Sequence, residues 1–167
     1  AYAPGSVFKI VTSLARLIEG LIDERSTFKC TGYYLYKRRK FRCHNLGGHG
    51  KMDVIDSLMH SCDVFYYKLG ELLGLDTISW YAREYYGYGE KTGVELYEQA
   101  GRAPTVAWYE ENDTRGFLPG FTLSVAVGQG SVLATPLQVA RSFAALLNGG
   151  DLLRLRLVSA IEADTGE

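Results

Sequence analysis

The chain has 167 residues, enough for one ordinary core, and 18 Lys and Arg against 19 Asp and Glu leave a net charge of −1. That balance gives no general pull toward nucleic acid, and there is no repeat or low-complexity stretch. No apolar run approaches the roughly 18–20 residues of a membrane span, and three cysteines are too few, and odd in number, for a disulfide-built domain.

Pro4-Gly5-Ser6-Val7-Phe8-Lys9 opens a helix predicted over Ser6 to Gly20, with Val7, Ile10, Val11, Leu14, Leu17, Ile18 and Leu21 in the rhythm of a buried face. Ser6 and Lys9 stand three apart and so share that helix's surface. A lysine kept neutral by burial or by nearby cations can take the serine proton and make the hydroxyl an acyl acceptor. The helix N-terminus adds positive potential where alkoxide character develops. By itself the pair is also what an ordinary amphipathic helix could carry.

Tyr33–Tyr36 and Lys40–Arg42 read as two short strands joined by the basic turn Lys37-Arg38-Arg39. Those cations read first as a solvated hairpin tip, with a site for an anionic partner as the alternative. His44-Asn45-Leu46-Gly47-Gly48-His49-Gly50 is glycine-rich enough to be an irregular loop. Asp53 is expected to cap a short helix to about His60, which Ser61-Cys62-Asp63 interrupts. An amphipathic helix then runs through Val64, Phe65, Tyr67, Leu69, Leu72 and Leu73, and Asp76 is expected to cap a third from Thr77 to about Tyr86. Gly87 to Gly93 is a turn-rich link, and Ala100 to Pro119 reads as an irregular working loop. Phe121 to Val127 alternates like a strand. Thr135-Pro136 opens a helix that ends at Asn148-Gly149-Gly150, and Leu152 to Ile161 reads as a final strand. Asp164-Thr165-Gly166 reads as a turn. No hinge divides the chain, so one domain is expected, and the abrupt ends suggest a piece of something longer.

Cys30, Cys43 and Cys62 allow two arrangements. One is a Cys30–Cys43 disulfide closing the basic hairpin, with Cys62 free and buried. The other gathers all three with His49 around one structural zinc, with Zn–S of about 2.3 Å and Zn–N of about 2.0–2.1 Å. Gly47, Gly48 and Gly50 free the backbone to aim His49, and His44 and His60 are spare candidates.

Six motifs, in this order, resemble one family: Pro-Gly-Ser6-x-x-Lys9, Gly48-His49-Gly50, Ser61-Cys62-Asp63, Gly89-x-x-Thr92-Gly93, Gly128-Gln129-Gly130 and Ala134-Thr135-Pro136-Leu137-Gln138. The set resembles class B penicillin-binding transpeptidases of the elongation type, the penicillin-binding protein 2 group, over nearly the whole chain. The resemblance implies an α+β fold of the penicillin-binding transpeptidase and serine β-lactamase kind, an antiparallel sheet flanked by helices, here without its C-terminal strands. It implies acyl transfer on peptidoglycan stem peptides and acylation by β-lactams, with Ser6 as nucleophile and Lys9 as base. Ser61 would relay the proton, and Asp63 would hold Lys9. An anion there would also raise the lysine pKa, which leaves open how Lys9 is kept neutral. Some relatives are similar in looking able to bind zinc at the cysteine positions; no organic cofactor is implied.

Lys91-Thr92-Gly93 spells the family's third motif but falls in a link whose lysine position the family leaves variable. The functional triplet is expected on a strand after the Thr135–Asn148 helix. The residues present would then lack one oxyanion donor, typically worth ~10²–10³ in rate, and alone are expected to be inactive or severely impaired. The full-length enzyme is expected at the inner membrane, facing the periplasm, with a membrane glycan polymerase of the elongation machinery as partner, the fragment itself being soluble. β-Lactam hydrolysis and a non-catalytic penicillin sensor are the alternatives.

Overall fold

The computed structural model describes residues 1–161; the Asp164-Thr165-Gly166 turn lies outside them. The chain opens with a 3₁₀ turn, Gly5–Phe8, that runs into helix α1, Lys9–Ile18. The expected helix over Ser6 to Gly20 is therefore tighter at its start, and it closes at Gly20, whose φ is +64°. Four short strands follow: β1 Phe28–Cys30, β2 Tyr33–Tyr36, β3 Arg39–Arg42 and β4 Gly50–Met52. Next come α2 Val54–Met59, α3 Asp63–Leu73, α4 Leu75–Glu84, α5 Val106–Asn112, α6 Gly120–Ala126 and α7 Pro136–Leu147.

Strand pairing is antiparallel but divided, β2 with β3 and β1 with β4, so that the described residues hold two two-stranded sheets and no larger one. The β2–β3 hairpin stands where the aromatic run and the basic turn placed it, with Tyr34 opposite Phe41 and both lodged against Tyr67 of α3. β1 and β4, three residues each, were too short for alternation to reveal.

Helix α1 lies between two apolar clusters. On one side Phe8, Val11 and Ala15 pack with Ile78, Tyr81 and Ala82 of α4 and with Val125 and Ala126 of α6. On the other, Val64, Phe65 and Leu69 of α3 join Cys30, Cys43, Met52 and Leu123. Two polar bridges cross this interior: Thr12 Oγ1 donates to the Ala126 carbonyl at 2.9 Å, and the Ser13 and Tyr66 hydroxyls share a bond of 2.8 Å.

Four expectations are corrected. Phe121 to Val127 is helical, inside α6, because Thr122, Leu123, Val125 and Ala126 are buried on two sides, between α3 and the Phe8 cluster. A short run buried on both sides carries no helical period to read. Ala100 to Pro119 is not wholly irregular, since it contains α5, capped where Thr105 Oγ1 accepts from Trp108 N at 3.0 Å. Asp76 caps that helix and not α4: it accepts from Val106 N at 2.8 Å, while α4 starts two residues earlier than expected, straight from Gly74. Leu152 to Ile161 forms no strand; it is tied down by Arg141, whose Nε and Nη2 donate to the Leu153 and Leu152 carbonyls.

The capping box at Thr135 forms as its sequence implies. Gln138 does more: it is fully buried, and its amide donates to the carbonyls of Glu90 at 2.6 Å and Ala100 at 2.7 Å. That one side chain ties the Gly87–Gly93 link to the chain ten residues further on.

Candidate active site

Ser6 is exposed in the opening 3₁₀ turn, at the mouth of α1. Gly5 holds that turn with φ +62°, and its N–H donates to the Gly128 carbonyl at 2.8 Å. The contact is close enough to demand glycine. A Cβ on Gly128, itself at φ +73°, would overlap the Gly5 carbonyl oxygen and come 2.7 Å from Phe8 Cβ. Gly128→Ala is therefore expected to destabilise the fold by about 2 kcal/mol or more and to slow acylation of Ser6. Chemical denaturation together with a penicillin-labelling time course checks it.

α2 ends at Met59, and the backbone then turns sharply. Ser61 takes φ +51°, the left-handed region that a serine seldom occupies. Cys62 returns to extended geometry and starts α3, with Asp63 as its first residue. Three consecutive side chains thus leave in three directions, Ser61 toward Ser6, Cys62 into the core and Asp63 toward Lys9.

The four polar residues expected to act together are brought together. Ser61 Oγ donates to Ser6 Oγ at 2.8 Å. Lys9 Nζ donates to Ser61 Oγ at 2.8 Å, to the Ser61 carbonyl at 2.7 Å and to Asp63 Oδ1 at 2.7 Å. Those three acceptors use every ammonium proton. Lys9 is not bonded to Ser6 directly, as the one-turn spacing suggested it could be; the link runs through Ser61. The reason is competition: a carboxylate and a carbonyl are stronger acceptors for an ammonium than a neutral hydroxyl.

Lys9 is 1% exposed and Asp63 19%. Burial raises the Asp63 carboxyl, yet the Lys9 bond and charge, together with the His44 donors, outweigh it and leave the pKa below its ordinary value. His44 contributes its N–H to Asp63 Oδ2 at 2.9 Å and Nδ1 at 3.3 Å. That role was not visible in the sequence, where His44 stood only as a spare metal ligand. Tyr66 was missed too: its ring lies 5.4 Å under Lys9 Nζ. Its place three residues after Asp63, on the same helical face, was the available signal.

Immediately behind this centre, Cys30 Sγ, Cys43 Sγ, Cys62 Sγ and a ring nitrogen of His49 all lie within 4.8 Å of one another. The three thiols are free and buried. Burial, then Cys30 and Cys43, push the Cys62 thiol up to about 12. Burial, then the neighbouring His44 and His60, lower the His49 pKa from its ordinary value, which favours the neutral imidazole. His60 itself lies 5.9 Å from His49, ring to ring.

Lys91-Thr92-Gly93 serves a local turn. Glu98 accepts from the Thr92 hydroxyl at 2.7 Å and from Gly93 N at 2.9 Å, and Thr92 is buried.

Comparison with known proteins identifies the family. The family model for the penicillin binding protein transpeptidase domain matches residues 1–167. The peptidoglycan D,D-transpeptidase MrdA of Haemophilus influenzae is 33% identical over 165 residues, 97% of this chain and 25% of its own. A solved complex between penicillin-binding protein 2 and MreC of Helicobacter pylori superposes with a TM-score of 0.88 at 35% identity, over 93% of this chain and 29% of that one. Penicillin-binding protein 2 of Pseudomonas aeruginosa gives a TM-score of 0.90 at 31% identity, over 95% and 37%. The chain spans about a quarter of the length of the curated relatives it matches. Over its full 167 residues the chain belongs to the penicillin-binding protein transpeptidase family.

Proposed function

We propose that these residues form the acyl-transfer centre of a serine D,D-transpeptidase that cross-links peptidoglycan stem peptides and is acylated by β-lactams. One observation carries the reading: the unbroken path Ser6 Oγ, Ser61 Oγ, Lys9 Nζ, Asp63 Oδ1, each step 2.7–2.8 Å. In acylation the Ser6 Oγ–carbonyl bond forms, the peptide C–N bond breaks, and the proton leaving Ser6 must reach the departing D-alanine nitrogen. Ser61 touches the nucleophile on one side and Lys9 on the other, which suits it to carry that proton. An acceptor amine then attacks the acyl-serine, and Ser6 regains its proton. The Ser6 N–H, in a first helical turn with no intrahelical acceptor, is the proposed oxyanion donor. The second donor and the cation for the substrate carboxylate are assigned to the family's Lys-Ser/Thr-Gly strand.

Asp63 is unsuited to activate a hydrolytic water, since Lys9 occupies one of its oxygens and His44 the other. That favours transfer over β-lactam hydrolysis. Incubation of the intact protein with a D-Ala-D-Ala stem-peptide mimic and an amine acceptor tests the reading by mass spectrometry. An acyl adduct on the Ser6 peptide and a cross-linked product are expected, and an adduct on any other residue overturns it.

The resemblance to elongation-type enzymes extends the proposal to a membrane glycan polymerase as partner and to the periplasmic face of the inner membrane. No helix among the described residues is long and apolar enough to cross a membrane.

A structural zinc belongs to the same proposal, held by Cys30, Cys43, His49 and Cys62. Tetrahedral ligands about 2.3 Å from a zinc stand roughly 3.8 Å apart, which the cluster's 4.8 Å limit accommodates. Three buried thiols crowded together, with Cys62 held strongly in its neutral form by burial and by Cys30 and Cys43, are a set that a divalent cation would convert to thiolates and neutralise. Bound there, it would fasten β1 and the end of β3 to the start of α3. Native mass spectrometry is expected to show one zinc, lost on denaturation; a two-dalton deficit without metal would mean a disulfide instead. Because structural zinc is folding free energy, chelation is expected to lower the melting temperature sharply.

A further inference from the structure

The near-zero net charge hides a segregated one. Seven of the 18 Lys and Arg residues fall between Ser26 and Met52, a stretch with no Asp or Glu. Lys37, Arg38, Arg39, Lys40 and Arg42 occupy the β2–β3 hairpin, and Lys29 faces Lys51 across the β1–β4 ladder. Like charges directly opposed on a sheet are destabilising. None of the seven forms an ion pair with a carboxylate among the described residues.

Two features separate this hairpin from a merely solvated tip. Three of its five cations lie over rings: Lys40 Nζ lies 3.8 Å from the Tyr33 centroid, Lys37 Nζ 5.7 Å from Tyr36, and Arg39 Cζ 5.3 Å from Phe41. Rings beneath the charges restrict their motion and leave their outer sides free for a ligand. Lys37 also sits at φ +53°, where a tight hairpin turn ordinarily takes glycine or asparagine. The turn keeps a charge there at the expense of local backbone strain.

The hairpin begins at the catalytic centre. Arg42 lies two residues before His44, whose N–H holds Asp63, and Tyr67 of α3 donates to the Arg42 carbonyl at 3.1 Å. Four-residue strands extend about 13 Å, so the cations run along a ridge that starts at Arg42, beside the His44 that holds Asp63, and ends at the Lys37-Arg38 turn. We propose that this ridge binds the carboxylates of an acidic peptide strand and so seats the second, amine-donating peptide of the transfer reaction. The inference rests on the acyl-transfer reading. Exposed charge pairs are individually weak and screened by salt, which suits a substrate that must arrive and leave at each turnover.

The test measures fluorescence anisotropy of the intact protein with a fluorescein-labelled peptide bearing three free glutamyl carboxylates, and with its fully amidated twin. The variants are Lys37→Gly, in which the turn gains the residue its φ prefers, and the triple Lys37→Gly, Arg38→Gln, Lys40→Gln, with thermal melts confirming that each is folded. Wild type is expected to prefer the acidic peptide about tenfold at low salt. The triple variant should lose that preference, and Lys37→Gly should lose part of it while melting no lower than wild type. Equal binding of the two peptides, or an unchanged preference in a folded triple variant, overturns the proposal. So does cation-dependent binding to phosphatidylglycerol vesicles with no effect on the peptides, which would make the ridge a membrane contact. Penicillin labelling of wild type reads the parent assignment separately: its absence sinks acyl transfer at Ser6 whatever the ridge does, and labelled protein indifferent to carboxylates sinks the ridge alone.

Discussion

Ser6→Ala is expected to abolish covalent labelling by a fluorescent penicillin, a fall on the order of 10⁴-fold or more, as when a covalent nucleophile is removed from a working site. The fold should hardly notice. Ser6 is exposed and accepts one hydrogen bond, from Ser61, so the stability change should stay within about 0.5 kcal/mol. An unchanged melting temperature with no label separates loss of chemistry from loss of structure. Label retained by Ser6→Ala, confirmed by mapping the adduct, would dismiss Ser6 as the nucleophile.

Lys9→Met should remove labelling as well, and here the fold is expected to suffer. The substitution keeps most of the side-chain volume but leaves Asp63 and the Ser61 carbonyl without their shared donor. Removing one partner of a largely buried pair typically costs about 3–5 kcal/mol; with Asp63 19% exposed the lower figure applies. The pH dependence identifies the cause. In wild type the Asp63 pKa is depressed, so its contribution is complete above the ordinary carboxyl value of 3.8 and is lost as pH falls through the lower folded value. Without Lys9 the largest lowering influences are gone, only the His44 donors oppose burial, and the folded pKa rises relative to wild type. The mutant's deficit should therefore shrink as the medium is acidified below pH 4 or so. A deficit that stays constant from pH 7 to the acid limb would mean that Lys9 supports the fold by packing alone.

What the sequence disclosed and what it hid divide along physical lines. Ser6, Lys9, Ser61 and Asp63 were legible because each stands in a short motif whose spacing fixes its chemistry, and the structure joins them in one path. The cysteines and His49 were legible as a set through donor type alone. Helices with an apolar recurrence, α1 and α3, could be placed by period, and α7 by its Thr135-Pro136 start. α6 could not, because it is buried on two sides and its Phe121-Thr122-Leu123-Ser124-Val125 alternation is accidental. β1 and β4 were too short to have a period at all. The position of His44 was invisible for another reason: its backbone N–H does the holding, and a backbone donor leaves no mark on residue choice. Asp76 shows the converse, a capping residue in plain view whose carboxylate serves a helix thirty positions away.

The left-handed backbone at Ser61 has a consequence for heat tolerance. Glycine and asparagine relax that conformation, and neither offers a hydroxyl to bridge Ser6 and Lys9. Directed evolution screened on thermal survival alone should drift toward those two residues here, and the winners would be robust, well-folded and inert. Only a screen that scores turnover alongside survival would keep the serine, which makes this position a sensitive gauge of which pressure a lineage has been under.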